Sequence, residues 1–135
     1  MTEAQVLSER VYQFWRTLDL GEYHKTVSLL AANCIWHREV VLQGRDAILN
    51  ALESRPANML TRHQINNLRI IWDDVPTAQF LITTFGAIAN KSVAATPDCG
   101  GPAAVVDVEM RFTEIDKHYL ITEIRNQLIC LRPQS

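Results

Sequence analysis

Near the start of the chain, apolar residues recur at helical spacing: Leu7, Val11, Phe14, Trp15 and Leu18 share one face of a helix and predict an amphipathic segment packed on a core. Gly21 interrupts that stripe. Tyr23, Val27 and Leu30 continue it as a short second helix. From Cys34 to Val41 the run Cys34-Ile35-Trp36-His37-Arg38-Glu39-Val40-Val41 is rich in β-branched and aromatic residues and predicts a strand that ends before Gly44. Asp46 then stands where a carboxylate favours a helix N-terminus, with Ala47, Ile48, Ala51 and Leu52 as the buried face and Pro56 as the stop.

The second half carries strand patterns only. Strands are predicted over about 62–72 and 77–90, joined by a turn at Asp73-Asp74-Val75-Pro76. The Pro- and Gly-bearing stretch 91–102 reads as a loop, and 114–117 as the turn of a final hairpin. Helices first and long antiparallel strands afterwards predict an α+β fold, with the N-terminal helices packed in a curved, mainly antiparallel sheet that forms a cone-shaped barrel with a pocket. In 104–112, Val106, Val108, Met110 and Phe112 alternate with Asp107, Glu109 and Arg111. In the last strand Leu120, Ile124 and Leu128 share a face with Thr122 and Asn126, which puts an amide on the apolar side. Tyr119, Ile121, Ile129 and Leu131 fall on the opposite face with Glu123, Arg125 and Gln127.

A length of 135 residues, 47% of them hydrophobic, suits one domain spanning 1–135. The net charge of -2 and scattered cations give no field for nucleic acid or a membrane surface. No apolar run approaches the roughly 20 residues of a membrane helix, and the expected location is the cytoplasm. Cys34, Cys99 and Cys130 show no Cys-x-x-Cys spacing and read as buried or inert thiols.

Candidate chemistry centres on His63, in Thr61-Arg62-His63-Gln64, and on Asp19, in Leu18-Asp19-Leu20-Gly21. Imidazole exchanges protons near neutrality, and a carboxylate against one ring nitrogen would fix its tautomer and raise its basicity. Two bland readings stand beside this one: Asp19 as a cap of the second helix, and His63 as a hydrogen-bonded structural residue. His37 and Asn126 are candidate polar contacts to a carbonyl or hydroxyl. No His-x-His or His-x-x-x-His spacing supports a metal site, and no glycine-rich loop precedes a helix to cradle phosphate, so no cofactor is expected.

The segments Phe14 to Tyr23, Ile35-Trp36, Gly44-Arg45-Asp46-Ala47-Ile48 and Arg62-His63 with Asn67 resemble the SnoaL-like branch of the nuclear transport factor 2-like superfamily over nearly the whole chain. The resemblance implies a cone with a deep pocket and a homodimer. Among relatives of this kind, scytalone dehydratase is similar in placing a catalytic Asp after the first helix and a catalytic His early in a strand, which matches Asp19 and His63. A second catalytic histidine of that enzyme has no match in Phe80-Leu81-Ile82-Thr83-Thr84-Phe85-Gly86. His37 falls near one of its pocket tyrosines. Tyr23 and Trp36, in matched segments, join His37 and Asn126 as expected substrate contacts.

The reading is a cofactor-independent dehydratase, isomerase or cyclase, a lyase or isomerase using an Asp-His pair on a small hydrophobic, cyclic or polyketide-like molecule. The alternative from a different class is a non-catalytic subunit that binds a small ligand or an enzyme partner.

Overall fold

The structure, a computed structural model, describes residues 1–88, 96–98 and 100–133. Helix α1 spans Glu3–Asp19 and opens on a capping box, in which the Thr2 hydroxyl accepts from the Gln5 backbone N–H at 3.1 Å and the Thr2 N–H donates to Gln5 Oε1 at 2.7 Å. Its buried face is Leu7, Val11, Phe14, Trp15 and Leu18, the stripe seen in the sequence. Gly21, at φ +74°, turns the chain into α2, Tyr23–Ser28.

Here the sequence reading is corrected. Leu30 does not continue α2 but begins strand β1, Leu30–His37, where it is fully buried. The strand therefore starts earlier than its β-branched residues indicate, because Ala31, Ala32 and Asn33 carry no strand signal of their own. It also ends earlier, so Val40 and Val41 lie exposed between β1 and the short β2, Leu42–Gln43. Helix α3, Arg45–Glu53, buries Ile48 and Leu52, and the Arg45 guanidinium donates to the Leu30 carbonyl, fastening the helix to β1.

Four long strands join β1 and β2 in one sheet: β3 Met59–Trp72, β4 Pro76–Ile88, β5 Ala104–Ile115 and β6 His118–Leu131. The order is β2-β1-β6-β5-β4-β3, with β1 parallel to β6 and every other pair antiparallel. The six strands curve but do not close, since β2 and β3 remain edges. The predicted loop at 91–102 lies largely outside the described residues. Asp116 and Lys117, at φ +52° and +67°, make the two-residue hairpin turn between β5 and β6.

Irregularities in register shape the curve and correct the alternation read from the sequence. The pairing jumps from Arg111↔Glu123 to Phe112↔Ile121, leaving Thr122 as an extra residue, and from Val106↔Leu128 to Val105↔Cys130, leaving Ile129 extra. Each jump reverses the parity of β6. Ile121, predicted to face outward, is instead fully buried against the core, and Leu131 lines the concave side. Another irregularity between Asn66 and Arg69, with Asn67 at φ +57°, bends β3.

The core lies between α1, α3 and the concave sheet face. Phe14, Trp15 and Trp36 meet edge to face, with centroids 5.0 to 5.9 Å apart, over Met110, Phe112 and Ile124.

Candidate active site

Asp19 is the last residue of α1, and His63 is the fifth of β3, 44 positions later. The contact of α1 with β3 brings them together. Asp19 Oδ1 meets His63 Nδ1 at 2.5 Å, and Asp19 Oδ2 accepts the His63 backbone N–H at 2.8 Å. The Thr61 hydroxyl donates to Oδ1 at 3.0 Å and itself accepts from Arg55 Nη2 at 2.9 Å. These contacts engage both carboxylate oxygens, and α2 has Glu22 at its N-terminus with no side-chain cap, so the helix-capping role considered for Asp19 is not the one it takes.

The side chains of Asp19 and His63 are only 4% and 12% exposed. Burial by itself would push the Asp19 carboxyl up. The hydrogen bond to the His63 ring, attraction to the imidazole's charged form, and the bonds from His63 N–H and Thr61 outweigh it and hold the carboxyl below its ordinary value. An ionised carboxylate can only accept, so the proton between the two groups sits on Nδ1 in the neutral ring, and Nε2 carries a lone pair. Among the described residues Nε2 has no hydrogen-bond partner. The Trp15 ring lies 4.7 Å from the imidazole, centroid to centroid, and fixes its plane.

His63 borders a cavity of about 560 Å³ between the concave sheet face and the helices. Leu18, Leu52, Ile82, Val106, Val108 and Leu128 give it apolar walls, and Asn126 projects among them from β6. Arg38, Glu39 and Arg55 also line it, and the Arg38 guanidinium lies 5.2 Å from the centre of the Trp36 ring. Such a chamber, mostly apolar with a few polar groups, suits a small organic molecule.

The predicted contacts divide between two faces. Trp36 and Asn126 line the cavity. His37 does not: successive residues of β1 point to opposite sides, and His37 reaches Glu123 at 3.4 Å on the convex face. Tyr23 is also absent from the cavity wall; it packs against the core with the Arg55 guanidinium 6.0 Å from its ring centre. Elsewhere, His24 pairs with Glu53 at 3.5 Å at the surface. Cys34 is buried, and desolvation pushes its thiol up to about 12, whereas Cys130 is exposed and Cys99 lies outside the described residues.

A family model described as a SnoaL-like domain matches residues 5–121. The chain belongs to this SnoaL-like family. Solved structures with the same nuclear transport factor 2-like, cystatin-like fold agree. An NTF2-like protein with a cystatin-like fold from Novosphingobium aromaticivorans superposes with a TM-score of 0.77 at 15% identity, covering 94% of this chain and 82% of that one. ActVI-ORFA from Streptomyces coelicolor gives 0.74 at 17% identity, covering 93% and 95%. A protein from Novosphingobium aromaticivorans provisionally named a scytalone dehydratase gives 0.76 at 11% identity, covering 98% and 88%. No curated protein matches the chain.

Two residues of this SnoaL-like site escaped the sequence reading. Thr61 was legible in principle, since it lies two positions before His63 on the same strand and therefore on the same face. Arg55 carries no such signal, because it follows the end of α3 and reaches the carboxylate only through the Thr61 hydroxyl.

Proposed function

We propose that this SnoaL-like protein is a cofactor-independent proton-transfer enzyme acting on a small, hydrophobic, oxygen-bearing cyclic or polyketide-like molecule by dehydration, isomerisation or cyclisation. The observation that carries the reading is the 2.5 Å contact of Asp19 with Nδ1 of His63, a residue that lines the 560 Å³ cavity. Names attached to structures of the same fold, ActVI-ORFA and a provisional scytalone dehydratase, are in keeping with it.

In the proposed chemistry, His63 Nε2 takes a proton from carbon next to a carbonyl. The C–H electron pair becomes the new C=C bond and the carbonyl π pair moves to oxygen. The negative charge of Asp19 stabilises the imidazolium that forms. For a β-hydroxy ketone the enolate then re-forms its carbonyl and expels the hydroxyl, which leaves as water with the proton held on Nε2. Returning that proton to a different carbon gives isomerisation instead. Asn126 and Trp36 are the proposed substrate contacts, and exclusion of water by the apolar walls strengthens each polar contact.

The proposal extends to a homodimer through the convex sheet face. There Arg69, Gln79, Glu109 and Arg125 border a groove of about 620 Å³, and mixed charges of this kind can pair with a second copy of themselves.

The test is a turnover screen of cyclic β-hydroxy ketones and related aromatic polyketide fragments with wild type, His63→Ala and Asp19→Asn. Turnover that disappears with His63→Ala is expected. A screen in which ligands bind but none is converted through His63 would move the protein to the alternative class, a binding subunit whose Asp19 and His63 only satisfy each other.

A further inference from the structure

The 560 Å³ cavity is apolar within but charged where it meets solvent. Its exposed lining residues Arg38, Glu39, Met59, Leu128 and Leu131 mark that opening, and the half-buried Arg55 stands beside Met59. Among the described residues neither arginine has a carboxylate within ion-pairing distance. A guanidinium partly withdrawn from water ordinarily has one, because its charge is costly to desolvate alone. Arg55 engages the protein through Nη2 only, donating to the Thr61 hydroxyl at 2.9 Å and toward Met59 Sδ at 3.6 Å. Its Nε and Nη1 carry no such bond among the described residues and, unlike Arg45 Nε, are not sealed from solvent. Arg38 is exposed yet not loose: its guanidinium lies 5.2 Å from the centre of the Trp36 ring, which holds it against a wall residue of the cavity.

We infer that Arg38 and Arg55 anchor a carboxylate at the opening, so that the ligand is a ring acid with its apolar ring system inside the cavity and its charged group at the mouth. The inference rests on the proposed function for the choice of cavity but not for its test. A guanidinium presents paired N–H donors in a planar fork that fits the two oxygens of a carboxylate, and a charge-assisted bond of this kind is stronger than one to a neutral acceptor. Glu39 is the one carboxylate among the described lining residues, so the opening holds two fixed cations against one anion. Deeper in, Leu52, Ile82, Val106 and Val108 offer only apolar surface. Charge at one end and hydrocarbon at the other give the cavity a polarity that a neutral ring compound would not use. The anchor also gives Arg55 a purpose beyond its bond to Thr61, through which it reaches Asp19. An acid held there stands at the His63 end of the opening, since Thr61 and His63 share one face of β3 and both line the cavity.

The experiment compares 1-naphthylacetic acid with 1-naphthylacetamide, which has the same shape without the charge, by isothermal titration calorimetry at about pH 7.5, where the acid is ionised. The acid should bind at least about tenfold more tightly than the amide, as charge-assisted bonds to guanidinium imply. Arg38→Gln and Arg55→Gln should each reduce that advantage, and Glu39→Gln should enlarge it. Affinity for the neutral amide should stay as in wild type in all three, which shows that the cavity is intact. Because Arg38 is exposed, its variant keeps the test valid even where Arg55→Gln disturbs folding. Equal affinity for the two probes, no binding of the acid up to its solubility limit, or an advantage that survives both arginine variants would overturn the anchor. Tighter binding of 1-naphthyl phosphate than of the acid would overturn the assignment to a carboxylate. His63→Ala protein keeps both arginines and should still distinguish acid from amide. Lost catalysis with that preference intact therefore removes the proposed reaction alone, and His63-dependent catalysis without the preference removes the anchor alone.

Discussion

Asp19 grips one residue twice: Oδ2 accepts the backbone N–H of His63 at 2.8 Å while Oδ1 meets its ring nitrogen Nδ1 at 2.5 Å. The backbone bond fixes where the strand passes the helix end, and the ring bond fixes which imidazole nitrogen is left for chemistry. Position and tautomer thus depend on a single carboxylate. Structural and catalytic consequences of changing it can be separated by the variants below.

His63→Ala should lower turnover by about 10²–10⁴-fold, the usual contribution of a positioned acid-base group. Asp19 is only 4% exposed and would lose its ring partner in this variant. The expected cost is therefore about 1–3 kcal/mol, read by denaturant unfolding of the same preparation used for activity. Unchanged turnover in a folded variant would remove His63 from the mechanism.

Thr61→Val should cut the connection between Arg55 and Asp19 while keeping the shape of a side chain that is 8% exposed. A loss of about 1 kcal/mol in stability is expected, together with a smaller fall in turnover than His63→Ala produces. An equal fall in both variants would mean that Thr61 itself contacts the substrate.

The lowered pKa of Asp19 makes stability depend on acid. On acidification the unfolded chain, with the higher carboxyl pKa, takes up the proton first, so protonation favours unfolding. The contribution is present above the ordinary carboxyl range, near about pH 4, and is lost as pH falls through the lower folded value. Asp19→Asn should flatten that part of the stability profile, measured by urea unfolding between neutral and acid pH. A variant profile parallel to wild type would show that Asp19 gains nothing from its partners.

On the convex face, Glu109→Arg should shift light scattering from dimer toward monomer, since it replaces an anion among Arg69, Arg111 and Arg125. A monomeric wild type at micromolar concentration would reject the dimer outright.

Much of the architecture was legible because burial imposes period. The stripe from Leu7 to Leu18 and the alternation from Val106 to Phe112 both report the face that meets the core. What failed was parity. Nothing in the sequence around Thr122 or Ile129, neither Gly nor Pro, announces the extra residues that turn Ile121 inward and Leu131 toward the cavity. His37, expected in the pocket from its place near a relative's pocket tyrosine, is off by one residue: its neighbour Trp36 lines the cavity, and in a strand adjacent residues face opposite sides. Of the candidate site, Asp19 and His63 were found through residues matching a family pattern. Arg55 reaches the pair through space, past a helix end, and no local pattern encodes that approach.

The central claim, that His63 removes a proton from carbon, is tested most directly without knowledge of the natural substrate. Hydrogen-deuterium exchange at the carbons flanking the carbonyl of 2-indanone can be followed by proton NMR in D₂O. The account predicts that wild-type protein accelerates exchange above the buffer rate and that His63→Ala protein returns it to that rate. Exchange at the buffer rate with wild type, or acceleration undiminished in His63→Ala, would contradict it.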